Sequence, residues 1–363
     1  MNAASPMDNP HPALDSFHSP NPGREDTASA GAMRVVAIGG GTGLATLLRG
    51  LRRHVAPTSA DNAATGLIAD LAAVVAVTDD GGSSGRLRKD FNMLPPGDLR
   101  NCMVALSEEE DLLSQLFSHR FRAGDALEGH SCGNLFVAAL TEITGDFAFA
   151  IQLASKILNT RGRIYPVTTA NATLVARMND GSLVRGETNI TASTLRIAEL
   201  MLDPPNAPAL PPTLEALERA DLITVGPGSL YTSLICNFLV QDVAAAVVHA
   251  RGVRVYVCNL MTEANESVNL TASQHIEKIY EHAGAPIFDY ALVNTAPFSD
   301  ETLARYAAEG ATAIVPDVER IEAMGVQCIA GNFAVEEEVV RHAARRVTGA
   351  LLALGKAALD KRA

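Results

Sequence analysis

Three glycine-rich stretches of this sequence combine bare backbone with side chains that handle anions. TDDGGSSGRLRK (78–89) sets Asp79, Asp80, Ser83, Ser84 and Arg86 around Gly81, Gly82 and Gly85. GGGTG runs Gly39, Gly40, Gly41, Thr42, Gly43, and GPGSLYTS (226–233) adds Gly228, Ser229, Tyr231, Thr232 and Ser233. Glycine lets backbone N–H groups close on a phosphate, and a helix starting there adds the positive end of its dipole. Asp79 and Asp80 suit a ribose, whose hydroxyls donate to carboxylates, or Mg²⁺, and Arg86 suits a phosphate clamp. The plainer alternative is an aspartate–Arg86 ion pair that only closes the loop. No Gly-Lys-Ser/Thr follows GGGTG, and Leu44 or Thr46 stands where a dinucleotide fingerprint needs its third glycine. Ser229 lacks the second glycine of a nucleophile elbow.

Two further stretches sit at predicted helix starts. LPPGDLRNC (94–102) presents Asp98, Arg100 and Asn101, where Asp98 is either an N-cap or a residue turned to a cleft. GHSCGNL (129–135) presents His130 and Asn134 around a glycine. His130 suits a general acid–base or phosphate-donor role, against the commoner structural histidine. The catalytic candidates are thus Asp79, Asp80 and His130, with Asp79 and Asp80 also the candidate metal ligands. Asn259 and Thr262 close a later strand, and His249, His275 and His282 have no zinc-type spacing.

The elements that must position these residues alternate. RVVAI and LAAVVAV are short β-prone runs ahead of the first two loops, and Leu44, Leu47, Leu48 and Leu51 recur at helical spacing. Residues 99–143 read as mainly helical, and FAFAIQLASKIL (147–158) continues in the same way. In TLVARMNDGSLVRGETNI two β-prone runs flank Asn179-Asp180-Gly181, a hairpin signal. After 212 the alternation resumes, with DLITVG, VRVYVCNLM, YALVNT and ATAIVPD as strands and AVEEEVVRHAARRVTGALLALG as a terminal helix or helix pair. The fold class is α/β, a Rossmann-like, doubly wound, mostly parallel sheet with a small hairpin-containing insert at about 160–212. The expected organisation is a disordered extension (1–32), one domain (33–350) and a C-terminal tail (351–363).

The 363 residues carry a net charge of −12, which argues against nucleic-acid binding through the bulk field. No apolar run approaches the roughly 20 residues of a membrane span. The five cysteines are scattered without a CxxC, fitting reduced thiols and a cytoplasmic location. The first 32 residues lack the apolar core of a signal peptide.

GGGTGLATLLRGL, DDGGSSGRLR, LPPGDLRNC, GHSCGNL and GPGSLYTS, in this order, resemble the gluconeogenesis-factor (YvcK-like) family over about 33–345. That family is related to the CofD-type 2-phospho-L-lactate transferases of deazaflavin cofactor synthesis. The resemblance implies a cytoplasmic protein, commonly a homodimer. It implies binding of a nucleotide sugar of the UDP-N-acetylglucosamine type or a dinucleotide such as NAD, and a link from carbon metabolism to cell-wall synthesis proteins and cell shape. It also points to Tyr306 in LARYAAEGA and Arg341 in VVRHAARR as uridine-nucleotide contacts. The chain departs from the pattern at Cys236-Asn237, where the family often has Pro-Asn. It departs again at Glu263-Ala264-Asn265-Glu266-Ser267, where Gln-x-Gly-Glu-Thr is usual. A phospholactate-type transferase, with Mg²⁺ on Asp79 or Asp80, is the alternative, and a simple NAD-linked oxidoreductase fits least.

Overall fold

The structure, a computed structural model, describes residues 32–56, 66–108 and 112–362. The extension expected at 1–32 therefore lies, but for its last residue, outside the described residues. Met33–Gly39 forms β1 and Ile68–Val75 forms β2. Within them 35–38 and 71–75 read as unbroken apolar runs because helices cover both faces of the sheet there, whereas Arg34 and Asp70 are half-buried near the strand starts. Val35, Val36, Ala37 and Ile38 are all buried.

Helix α1 (Gly41–Leu51) follows β1, and α2 (Gly82–Phe91) and α3 (Gly97–Leu106) follow β2. Helices α4 (Leu112–Ser118), α5 (Cys132–Thr144) and α6 (Phe147–Ile157) lead to the edge strand β3 (Arg163–Pro166). Strands β4 (Thr173–Met178) and β5 (Leu183–Arg185), helix α7 (Glu187–Ala192) and strand β6 (Ile197–Asp203) make the insert. Helix α8 (Pro211–Arg219) returns the chain to β7 (Leu222–Val225), after which Leu230–Ile235 winds as a π-helix. The remainder is α9 (Cys236–Phe238), α10 (Val243–His249), β8 (Val253–Val257), α11 (Ala272–Ala283), β9 (Tyr290–Asn294), α12 (Asp300–Ala308), α13 (Val318–Ala323) and β10 (Gln327–Gly331). Strands β11 (Ala334–Val335) and β12 (Arg341–His342) and helix α14 (Ala344–Asp360) close the chain.

Seven strands form one parallel sheet in the order β10-β9-β8-β7-β1-β2-β3. The order grows away from β1 on one side and from β7 on the other. Connections leave β1 and β7 toward opposite faces, and a crevice opens between their C-terminal ends, where α/β sheets bind ligands. Gly39 ends β1 there, and Gly226 donates to the carbonyl of Ile38 at 3.0 Å. The doubly wound sheet expected from the alternation is present.

The insert is a three-stranded antiparallel sheet, β5-β4-β6. Its hairpin turns at Asn179-Asp180-Gly181, with Gly181 at φ +87, a conformation that favours glycine. The boundary at 160 needs correction: β3 pairs with β2 and belongs to the main sheet. ATAIVPD is not a strand. It carries one bridge, Met261 to Ala313, and the last strand of the large sheet is β10. AVEEEVVRH is not helical either; its ends pair as β11 and β12. The boundary at 350 cuts through α14, whose Leu351 and Leu352 are buried in the core, so residues 351–360 are no loose tail.

Candidate functional site

The loops after β1, β2 and β7 meet at the crevice. The Gly41 N–H, first in α1, donates to Asp98 Oδ2 at 2.7 Å, tying GGGTG to the first turn of α3. A Cβ on Gly40 would stand 2.9 Å from that oxygen and 3.3 Å from Ser233 Oγ. A Cβ on Gly43 would stand 2.4 Å from the Pro227 carbonyl oxygen. The glycines thus let two loops and a helix start pack backbone to backbone. Thr42 is exposed on α1 and Ser229 is half-buried before the π-helix, whereas Tyr231, Thr232 and Ser233 are buried. Asn259, past the end of β8, accepts from Gly228 N at 3.1 Å and donates to Gly228 O at 2.7 Å, so it fixes the second loop by its backbone.

The N–H groups of Tyr231 and Thr232 are taken by Glu266 Oε1, at 2.8 and 3.0 Å. Buried Glu266 therefore caps the π-helix as Asp98 caps α1, each in the place a ligand anion would take. Asn265, next to it, sits at φ +65, the left-handed conformation that glycine adopts freely and asparagine tolerates best. Asn265 and Glu266, where the resemblance leads one to expect Gly-Glu, supply in this chain the left-handed turn and the capping carboxylate.

The aspartates of TDDGGSSGRLRK diverge. Asp79 Oδ1 accepts from Gly81 N at 2.8 Å within its own turn. Asp80 Oδ1 accepts from the Thr188 N–H and hydroxyl at 2.8 and 2.7 Å, holding the start of α7 against the crevice. Gly186 at φ +89 leaves room, since a Cβ there would stand 2.4 Å from Asp80 Oδ2. Among the described residues no group of three or more His, Cys, Asp or Glu side chains is placed to hold a metal. Each aspartate thus spends one carboxylate oxygen on the protein itself, Asp79 on Gly81 and Asp80 on Thr188. Removing the cap has a local consequence. Asp80→Ala should cost about 1–2 kcal/mol and speed hydrogen exchange in residues 188–192 well before the main sheet. Unchanged protection there would show that the insert is held otherwise.

Arg86 pairs with neither aspartate; it donates to the Glu128 carbonyl at 2.7 Å, which removes the loop-closing ion pair. His130 is buried, its Nδ1 2.9 Å from Ser83 Oγ, and Asn134 Nδ2 donates to the same hydroxyl at 3.2 Å. Burial and then the nearby Arg86 push its pKa down, which keeps it neutral at pH 7. Ser84 is buried against Gly97, where a Cβ would stand 2.4 Å from its Oγ. Arg100 donates to Asn101 Oδ1 at 2.6 Å.

Sequence reasoning passed over Glu187. The insert carries it to the crevice, where Thr78 Oγ1 donates to its carboxylate at 3.4 Å. Desolvation, then Asp79, Asp98, Glu266 and Asp80, raise its pKa to about 9. Desolvation also raises Asp98 to about 6 and Glu266 to about 8. The crevice is therefore lined by carboxylates from four segments, groups that accept hydrogen bonds from hydroxyls.

Residues 35–334 match the family described as 2-phospho-L-lactate transferase CofD. A gluconeogenesis factor of Halalkalibacterium halodurans is 45% identical over 88% of this chain and 95% of its own. The chain belongs to the CofD family, in its gluconeogenesis-factor branch. A gluconeogenesis factor of Bacillus subtilis is 41% identical over 89% of this chain and 98% of its own. A crystal structure of a UPF0052-family member from Bacillus halodurans superposes with a TM-score of 0.82 at 44% identity, covering 88% of this chain and 99% of that one. Among the described residues no helix is long and apolar enough to cross a membrane.

Tyr306 and Arg341 also have a defined place. Tyr306 Oη accepts from Val340 N at 2.9 Å, the residue before the exposed Arg341 on β12, and the Arg305 guanidinium lies 5.8 Å from the Tyr306 ring centroid. His342 Nε2 then meets the Cys258 carbonyl at 3.0 Å, next to Asn259. Tyr306 is thus joined to Gly228 by way of Val340, His342 and Asn259.

Proposed function

We propose that the chain is a cytoplasmic regulatory protein that binds a nucleotide sugar of the UDP-N-acetylglucosamine type and relays carbon status to cell-wall synthesis and cell shape. The observation that carries the reading is the run of contacts from Tyr306 and Val340 through His342 and Asn259 to Gly228. It links an aromatic ring and the exposed Arg341 guanidinium to a glycine loop at the sheet's switch point. A base stacks on Tyr306, Arg341 pairs with a diphosphate, and the carboxylates of Asp79, Asp98 and Glu187 accept from sugar hydroxyls. A dinucleotide such as NAD lacks a matching third glycine in the first loop.

The description of the family as transferases favours one second reading, phospholactate transfer. Against it stands the commitment of Asp80 to α7 and of His130 to Ser83, which leaves neither as a free general base. Calorimetric titration decides between them. UDP-N-acetylglucosamine should bind the whole chain, and Arg341→Ala and Tyr306→Ala should each weaken it by about tenfold or more, Arg341→Ala without moving the ligand-free melting temperature. Turnover of GDP-activated phospholactate with a deazaflavin precursor, with no UDP-sugar binding, would sink the regulatory reading.

A further inference from the structure

The residues expected to line one cleft divide into two electrostatic groups. Glu187 feels Asp79, Asp98, Glu266 and Asp80, whereas His130 feels Arg86 and Arg120, with Asp90 opposing them. We propose that the mouth shared by α2 and α5 is a second anion site, built by Arg86, Arg100, Arg120, Ser83 and Asn134, which takes a phosphate monoester or inorganic phosphate apart from the nucleotide loops.

Three observations converge on it. First, the three arginines come from α2, α3 and the strap between α4 and α5, and none has a carboxylate partner among the described residues. Arg86 and Arg120 reach only the carbonyls of Glu128 and Gly129, and Arg100 reaches Asn101 and the Phe117 carbonyl. Of the three only Arg100 is buried, and two acceptors for its five donors leave that charge under-served.

Second, a buried donor there, Arg100 Nε, has no partner. Arg100 is 9% exposed, so solvent does not serve it. Asn134 lies in the first turn of α5 and reaches to Ser83 in the first turn of α2, so it stands between two helix starts. Gly82, which opens α2 at φ +46, has nothing within 4 Å of where a Cβ would stand, so the mouth is open on that side.

Third, the strap borders a groove of 690 Å³ lined by Ser118, His119, Arg120, Phe121 and Arg122. Of the five proposed residues only Arg120 lines it, so the groove lies at the edge of the site, with Phe121 offering an apolar surface beside Arg120. Guanidinium forks with helix N–H groups match a tetrahedral dianion. The proposal does not depend on the nucleotide-sugar reading.

The test uses the full chain at fixed ionic strength, with chloride as the balancing ion because exposed cations attract any anion weakly. Inorganic phosphate and glycerol 3-phosphate are titrated separately by calorimetry into wild type and Arg120→Ala, and each titration is repeated with UDP-N-acetylglucosamine present. Arg120 is exposed, so the variant should melt with the wild type. Saturable binding that Arg120→Ala weakens by about tenfold or more, and that the UDP-sugar does not displace, supports the site. Tighter glycerol 3-phosphate identifies an ester ligand, and equal affinity identifies phosphate itself. Binding of equal strength in Arg120→Ala, displacement by the UDP-sugar, or no saturable binding overturns the proposal. Arg120→Ala leaving UDP-sugar affinity intact separates this site's failure from that of the nucleotide site.

Discussion

Gly43→Ala should lower the melting temperature by several degrees and abolish nucleotide-sugar binding, although alanine is the better helix residue. Gly43 lies in the first turn of α1 without a positive φ, so propensity alone favours the substitution by about 1 kcal/mol. The new methyl, however, would stand 2.4 Å from the Pro227 carbonyl oxygen, 2.9 Å from its carbon and 3.3 Å from Gly228 N. All three are backbone atoms of the second loop, which Asn259 grips at both the N–H and the carbonyl of Gly228. A flexible side chain would swing aside; this loop can only move as a unit, and Glu266 resists that by capping the following turn. Overpacking of this kind costs about 1–3 kcal/mol, so the clash outweighs the propensity gain. Thermal melts and UDP-sugar calorimetry on the variant check both halves. A variant that melts with the wild type and binds normally would mean that the loops are not packed as described. By contrast, Gly82→Ala meets no atom, and its cost should be the backbone term at φ +46 alone.

That contrast shows what was legible in the sequence. The glycine loops could be placed because a βα turn at a switch point imposes local demands, and GGGTG and GPGSLYTS follow continuous apolar strands. Which glycines are crowded by backbone could not be read, because Gly43 meets Pro227 across 184 positions of sequence. Glu187 was invisible for the same reason. RGETNI looks like a solvated segment, and only the Asp80–Thr188 contact, 108 positions apart, carries it to the crevice. ATAIVPD alternates like a strand but is consumed by single contacts, Thr262 N to Thr312 O and Ile314 N to Leu260 O. β3 was absorbed into the insert because four residues ending in proline give no periodicity. The glutamates of AVEEEVV mimic a helix, while the Tyr306 hydroxyl and the β11–β12 pairing hold the segment extended.

Glu187→Gln should make the protein more stable, by an amount that grows with pH. The carboxyl of Glu187 has its pKa raised to about 9, first by desolvation and then by Asp79, Asp98, Glu266 and Asp80. A raised pKa means that the folded state holds the proton more tightly than the unfolded chain does. Its contribution is therefore fully present below the ordinary glutamate value near 4.5, and it is lost as pH rises through about 9. Asp98, raised to about 6, and Glu266, raised to about 8, act in the same direction, so the wild type should lose stability progressively across that window. Glutamine keeps the shape and the Thr78 contact but never ionises, and it relieves Asp98 and Glu266 of one negative neighbour. Each tenfold change in proton affinity is worth about 1.4 kcal/mol, and relaxation of the half-buried site absorbs part of it, so a gain of about 1–3 kcal/mol at pH 9 is expected. Near pH 5 the variant and the wild type should be nearly equal. Urea unfolding at pH 5, 7 and 9 measures the trend directly. A constant difference, or a variant that weakens as pH rises, would show that the Glu187 carboxylate is compensated in the fold and that the crevice is not the site of charge repulsion described above.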